Sequence, residues 1–253
     1  MLDFTGRTVV ITGAAGGIGS AMVELLRELG ASIVGCDRDE AGLSALRVDR
    51  SVTFDLGDGA AVTRAAAEIL DGGPVPHAII SNAGVTTAET LRDVDDAVFD
   101  AEIAQNLTGA ATFSRAFLPA MREVGGGAFV FVSSVNALAH FGNPAYAAAK
   151  AGLGAWMRAI ATEEGAAGIR ANAVVPGSVE TAAWAARIEA DPGILDDIRG
   201  LYPLGRLVSP REVAMAATFL ASPLAGGITG VSLNVDAGLT AGNLPFLKRI
   251  MEV

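Results

Sequence analysis

RTVVITGAAGGIGSAMVELLRELG, residues 7–30, is the stretch on which the reading of the fold turns. Its first six residues, RTVVIT, form a short β-branched run that reads as a strand. SAMVELLREL, at 20–29, places apolar residues at helical spacing and closes with Leu29 and Gly30, a glycine suited to ending a helix. Between them stand Gly13, Gly16, Gly17 and Gly19. Glycines there let the backbone turn tightly and aim a helix N-terminus, with its free N–H groups and positive dipole end, at a pyrophosphate. Alone such a turn could be a plain tight turn; between a strand and a helix it points to phosphate binding.

The same alternation runs outward along the chain. Further strand candidates are SIVGC at 32–36, SVTF at 51–54, HAIIS at 77–81, AFVFV at 128–132, IRANAVV at 169–175 and VSLNV at 231–235. Helical stretches separate them, among them AAVTRAAAEIL, a long run at 97–121, another at 144–165, and PREVAMAATFLA. Strand-helix alternation implies parallel strands joined by crossovers, hence an α/β doubly wound sheet of about seven parallel strands with helices on both faces. No linker or fixed-period repeat interrupts the series, so one domain over 1–253 is expected. The longest interval without a strand, Ser178 to Gly230, is where a substrate lid is expected, around 178–208.

Composition excludes several classes. The 253 residues are 51% hydrophobic, enough for a sizeable core, and 18 Lys+Arg against 28 Asp+Glu give a formal charge of −10. That balance argues against nucleic acid and against an anionic membrane surface. One cysteine, Cys36, fits a reducing compartment and packing at a strand end. With only His77 and His140 besides, the chain lacks the ligand set of a catalytic zinc, so no metal is expected. The start, MLDFTGRTVVITG, shows no leader and no run of 18 apolar residues follows, so a soluble, cytoplasmic protein is expected.

Two local patterns point to chemistry. The second strand ends in CDRD, placing Asp37 about 20 residues beyond the glycines, where a carboxylate can accept from ribose hydroxyls and would repel a 2′-phosphate. This favours NAD over NADP, although Arg38 beside it could stack on adenine or meet a phosphate. In NPAYAAAKAGLGAW, 143–156, a helix would set Tyr146 and Lys150 one turn apart on one face. The chain has only two lysines, Lys150 and Lys248, in a sequence that otherwise uses arginine.

Taken in order, Thr12-Gly13-x-x-x-Gly17-x-Gly19, Asn82-Ala83-Gly84, Asn106, Ser133-Ser134, Tyr146-x-x-x-Lys150 and Pro176-Gly177 resemble the short-chain dehydrogenase/reductase family, over roughly residues 5–240. The resemblance implies a Rossmann-type fold binding NAD through Gly13, Gly17, Ile18, Gly19, Asp37 and Arg38. It also implies contacts from Asp55 and Leu56 near adenine, from Asn82, Ala83 and Gly84, and from Pro176, Gly177, Val179 and Thr181 near the nicotinamide. It makes Tyr146 the general acid/base, Lys150 its electrostatic partner and a ribose ligand, Asn106 the kink and relay residue of its helix, and Ser134 the hydroxyl that orients substrate. Ser134 stands one residue closer to Tyr146 than the family usually shows, a spacing Ser133 meets; Ser134 is chosen on context, with a one-residue deletion in the following loop. A free phenol, pKa about 10, is roughly 4 kcal/mol too weakly ionised at neutral pH. An ammonium at about 4.5 Å in an effective dielectric of about 20 contributes roughly 3.7 kcal/mol in the other direction. Ala237 stands where the family more often has glycine, which puts that turn in question.

On the substrate side, Asn136, His140 and Trp184 are candidates. The expected function is an NAD(H)-dependent oxidoreductase interconverting a secondary alcohol, such as a polyol or sugar, and its ketone. Alternatives are an NADPH-dependent reductase of 3-oxoacyl thioesters, disfavoured by Asp37 and by repulsion between an acidic carrier protein and a chain of charge −10, and a non-catalytic NAD-sensing regulator, which would not need the full Asn-Ser-Tyr-Lys set. A homotetramer built from dimers is expected from the small-residue helices at 97–121 and 144–165, with the apolar tail GNLPFLKRIMEV available to cover a neighbouring subunit.

Overall fold

All seven apolar runs form strands in the computed structural model of the chain, which describes residues 2–252: β1 Thr8–Thr12, β2 Ser32–Asp37, β3 Arg50–Thr53, β4 Ala78–Ser81, β5 Gly127–Val132, β6 Ile169–Pro176 and β7 Ser232–Val235. They make one parallel sheet in the order β3-β2-β1-β4-β5-β6-β7. From β1 the chain builds outward through β2 and β3, then returns to lay β4 on the other side of β1. The order reverses there, so a crevice opens beyond the C-terminal ends of β1 and β4.

Most of these strands are apolar on both faces, as a sheet covered on both sides requires. Val9 and Ile11 face one core, shared with Met22 and Leu26 of α1 (Gly17–Glu28) and Val213 and Ala217 of α9 (Pro210–Ala221). Val10 faces the other, shared with Val62 of α3 (Gly59–Asp71), Phe113 of α5 (Gly109–Glu123) and Leu153 of α6 (Pro144–Glu163). As expected, Gly30 follows the end of α1 at φ 84°. A capping box of Ser209 and Glu212 starts α9. The short α2 (Glu40–Ser44) follows β2.

The long helix read over 97–121 is not continuous. It divides into α4 (Asp96–Ile103), a π-helical turn (Ala104–Thr108) and α5. The Asn106 amide donates to the Glu102 carbonyl and also to Val85 of the loop beyond β4, both at 2.9 Å, and that outside tether accompanies the widened turn. The interval read as a lid holds α7 (Ala182–Ala190) and α8 (Ile194–Leu201), and Val179 pairs with Val208 at its base. The tail forms α10 (Leu244–Ile250), which lies against α8. Ala237 takes φ 50°, the region that favours glycine, while Asp236 holds the turn by accepting from the Gly238 and Thr240 N–H groups at 3.0 and 2.9 Å. Among the described residues no helix is long and apolar enough to cross a membrane.

Candidate active site

The glycine turn is fastened from below by the end of β4. The Asn82 amide donates to the Thr12 and Gly13 carbonyls at 3.1 and 2.9 Å, and the Asn82 and Ala83 N–H groups donate to the Thr12 hydroxyl at 3.1 and 3.2 Å. Gly13 and Gly19 permit the close approach: a Cβ would lie 2.7 Å from Ala83 Cα at the first and 2.0 Å from the Gly13 carbonyl oxygen at the second. A Cβ at Gly17 would lie 3.1 Å from the Thr181 side chain, so Thr181 stands close against the turn. The first N–H groups of α1 have no intrahelical acceptor; the α1 residues Gly17 and Ile18 border a cleft of about 420 Å³.

At the outer end of that cleft lie Asp37 and Arg38. Asp37 accepts from the Ala15 N–H at 3.0 Å through Oδ2 and from the Asp39 N–H at 3.1 Å through Oδ1, which fixes the carboxylate and leaves lone pairs for a ligand hydroxyl. Asp55 and Leu56 form the opposite wall, where Asp55 Oδ1 accepts from the Gly57 N–H at 2.7 Å and from Gln105 Nε2 at 2.6 Å. Gln105 also lines the cleft and was missed in the sequence; its one signal there is adjacency to Asn106.

A second cleft of about 230 Å³ shares Ile18, Asn82, Gly84 and Val85 with the first, so the two form one continuous groove. Ser134, Tyr146 and Lys150 meet there, opposite Pro176, Gly177 and Val179. The Ser134 hydroxyl donates to Asn136 Oδ1 at 3.2 Å and acts on the neighbouring Tyr146 phenol, whereas Ser133 donates to the Lys150 carbonyl at 3.3 Å. Lys150 Nζ donates to the Val132 carbonyl at 2.8 Å and stands 5.4 Å from the centre of the Tyr146 ring. Asn106 completes the group, its Oδ1 accepting from the Val85 N–H at 3.0 Å. Gly84 fits between them; a Cβ there would lie 3.0 Å from Asn106 Oδ1 and 3.2 Å from Lys150 Nζ.

The electrostatics of this cluster correct one expectation. Lys150 was expected to dominate the phenol, but burial dominates both groups. It pushes Tyr146 up to about 12, with the Ser134 hydroxyl acting downward and the charge of Glu102 upward, and pushes Lys150 down to about 8.

Of the three candidates for the substrate side, Asn136 touches the cluster through Ser134, whereas His140 and Trp184 lie apart from it. Asn136 holds its own loop, donating through its N–H to the Ser134 hydroxyl at 3.2 Å and through Nδ2 to the Gly142 carbonyl at 2.7 Å. His140 is exposed and borders neither cleft. Trp184 packs half-buried on the core, with the Arg187 guanidinium 5.6 Å from its ring and paired to Glu89. His77 is structural: at the far end of the sheet its Nδ1 accepts from the Thr8 N–H at 3.0 Å. Among the described residues no group of three His, Cys, Asp or Glu could hold a metal ion.

A family model described as enoyl-(acyl carrier protein) reductase matches residues 13–240. The crystal structure of an oxidoreductase of the short chain dehydrogenase/reductase family from Burkholderia thailandensis superposes with a TM-score of 0.90 at 39% identity, covering 98% of each chain. Cis-4-hydroxycyclohexanecarboxylate dehydrogenase of Sinomonas cyclohexanicum is 39% identical over 258 residues, covering 94% of this chain and 98% of that protein. Acetoacetyl-CoA reductase of Synechocystis is 37% identical over 244 residues, covering 93% and 97%.

Proposed function

The chain belongs to the short-chain dehydrogenase/reductase family of oxidoreductases, and within it we propose that the protein interconverts a secondary alcohol and its ketone, with NAD(H) as hydride carrier and Tyr146 as acid/base. The observation that carries this reading is the continuous groove with a fixed carboxylate, Asp37, at one end and Tyr146, Ser134 and Lys150 at the other. The groove fits a dinucleotide: the glycine turn leaves no room for a Cβ at Gly13 or Gly19, which brings backbone N–H groups close to a pyrophosphate. Gly13, Gly17, Ile18, Gly19, Asn82, Ala83 and Gly84 would hold the phosphates and inner ribose, Asp37 and Arg38 the adenosine ribose, and Asp55 and Leu56 the adenine. Lys150 would hold the nicotinamide ribose, with Pro176, Gly177, Val179 and Thr181 at the ring. The bound cofactor would supply the hydride acceptor.

The chain's own residues handle the proton. Ser134 Oγ hydrogen-bonds the substrate oxygen, and Tyr146 removes its proton during oxidation or returns it during reduction. Because burial raises the phenol pKa, oxidation should become faster as pH rises and Tyr146 ionises. Polyols and similar hydroxy compounds are the proposed substrate class, a reading supported by the similarity to dehydrogenases of hydroxy compounds. An NADPH-dependent reductase of 3-oxoacyl thioesters is the second reading, supported by Arg38 at the adenosine end and by the similarity to an acetoacetyl-CoA reductase. We further propose one domain with a lid around 178–208 and a homotetramer built from dimers. The exposure of Val231 and Leu233 at the β7 edge, and of Phe246, Ile250 and Met251 on the tail, supports assembly.

The test is a turnover screen of polyols, sugars, hydroxy acids and 3-oxoacyl esters with each cofactor, run beside Tyr146→Phe. Tyr146→Phe should cost at least about a hundredfold in turnover, the scale of lost acid/base assistance, with NAD binding by calorimetry nearly intact. Near-normal turnover in that variant, on a substrate the parent uses, would refute the assignment.

A further inference from the structure

Glu102 has no place in the machinery described so far, yet its side chain is only 1% exposed. It lies on α4, one turn before Asn106, so the two side chains share a helix face. Glu102 Oε1 accepts from the Thr87 and Ala88 N–H groups, the latter at 3.2 Å. Asn106 grips Val85 in the same segment through both its N–H and its carbonyl. Val85 and Thr86 line the cleft that holds Tyr146. The segment is then tied to the helix that carries the tyrosine: Asn143, the residue before α6, donates its side-chain amide to the Ala88 carbonyl at 3.0 Å and its N–H to the Glu89 carbonyl at 2.8 Å. A solvated loop would need no buried acid to achieve this. The second oxygen, Oε2, is buried and has no hydrogen-bond partner among the described residues.

We propose that Glu102 is a positioning residue of this site, holding Thr87 and Ala88, which continue the Val85–Thr86 wall of the cleft, through Oε1, and setting a fixed negative charge that acts on Tyr146 through Oε2. The inference rests on the reading of Tyr146 as acid/base. Three side chains bear on Tyr146: Lys150 on its own helix, 5.4 Å from the ring centre, the Ser134 hydroxyl beyond β5, and Glu102 on α4. Glu89, in the same segment, is exposed and paired with Arg187, which leaves Glu102 as the buried carboxyl group on this side. Its charge acts on Tyr146 in the same direction as burial. Glu102 therefore restrains ionisation of the base while holding the wall against which substrate is placed.

Two tyrosines, Tyr146 and Tyr202, are present in the chain, so a Tyr202→Phe background allows Tyr146 alone to be titrated by tyrosinate absorbance after rapid pH jumps. Glu102→Gln, which keeps an acceptor for Thr87 and Ala88, and Glu102→Met should each lower the midpoint by about one pH unit, the scale of one charge acting at an effective dielectric of about 20. Glu102→Asp keeps the charge but shortens the reach, so its midpoint should stay with the parent while KM rises several-fold. For the parent and the Gln variant, the rising limb of alcohol oxidation should move by the same interval as the midpoint, which a purely structural role would not produce. A folded charge-free variant that titrates with the parent overturns the proposal, as does a fallen midpoint in Glu102→Asp. Failure of both charge-free variants to fold, with Glu102→Asp folding normally, assigns the residue to the fold and also overturns it. The titration needs no turnover, so it reads Glu102 separately from the proposed activity.

Discussion

Replacing Lys150 by methionine should make the protein more stable near neutral pH while disabling the site. Lys150 is 2% exposed, and burial depresses its pKa from 10.5 to about 8. At roughly 1.4 kcal/mol per unit, that depression corresponds to about 3 kcal/mol by which the charged side chain disfavours the fold below pH 8. Methionine removes the charge but leaves the Val132 carbonyl without the 2.8 Å bond it receives from Nζ, a loss of about 1–2 kcal/mol. The net expectation near pH 7 is a gain of about 1–2 kcal/mol for the variant. The sign of the pH dependence follows from proton counts. Between about 8 and 10.5 the unfolded lysine holds its proton more than the folded one, so the parent gains stability as pH rises. That gain should be about 2 kcal/mol between about pH 7 and about pH 9.5, and absent in the variant. Burial pushes the Cys36 thiol up, which acts oppositely above about pH 9, but that effect is common to both proteins and cancels in their difference. Denaturant titrations of both proteins at the two pH values test this. Parallel changes in stability with pH would refute burial as the dominant influence on Lys150.

Asp37→Asn, which keeps one acceptor for the Ala15 or Asp39 N–H, should narrow the preference for NAD over NADP by about tenfold or more in calorimetry, since it removes a charge that repels a 2′-phosphate. Gly84→Ala would place a Cβ 3.0 Å from Asn106 Oδ1 and 3.2 Å from Lys150 Nζ; it should lower turnover at least about tenfold by displacing both groups, measured by steady-state kinetics. Ala237→Gly, at φ 50°, should raise stability by about 0.5–1 kcal/mol in denaturant titration, the left-handed penalty on alanine outweighing the entropy of glycine.

The fold was legible because β-branched runs and helical spacing describe short-range physics, and each strand lies within a residue or two of its expected bounds. What periodicity could not carry is the interruption at 104–108, since a π-turn alters the path of a helix without altering its polarity pattern. The cluster was legible as a set of residues in order, but its energetics were not. Tyr146 and Lys150 stand one turn apart on any helix, and only packing decides that burial outweighs their attraction. Glu102, between Ala101 and Ile103, reads as a solvated acid until the fold closes the 85–89 segment over it. Gln105 meets Asp55 across 50 positions, a pairing with no local signature. His140 and Trp184 had suitable chemistry, but the fold sets neither of them on the two clefts.

The interrupted helix also limits how this chain can be altered by insertion or deletion. Residues before the π-turn present Glu102, and the turn itself presents Asn106, to the 85–88 segment; residues after it present Phe113, Phe117 and Met121 to the core. The wide turn holds about one residue more than an α-helix uses for the same rotation, so straightening it with every residue kept would turn α5 against α4 by about 100°. Either the two polar side chains would then leave the 85–88 segment or the three apolar ones would leave the core. The irregular turn therefore absorbs one residue of phase: a regular helix suits both surfaces only if one residue of 104–108 other than Asn106 is lost in the same step.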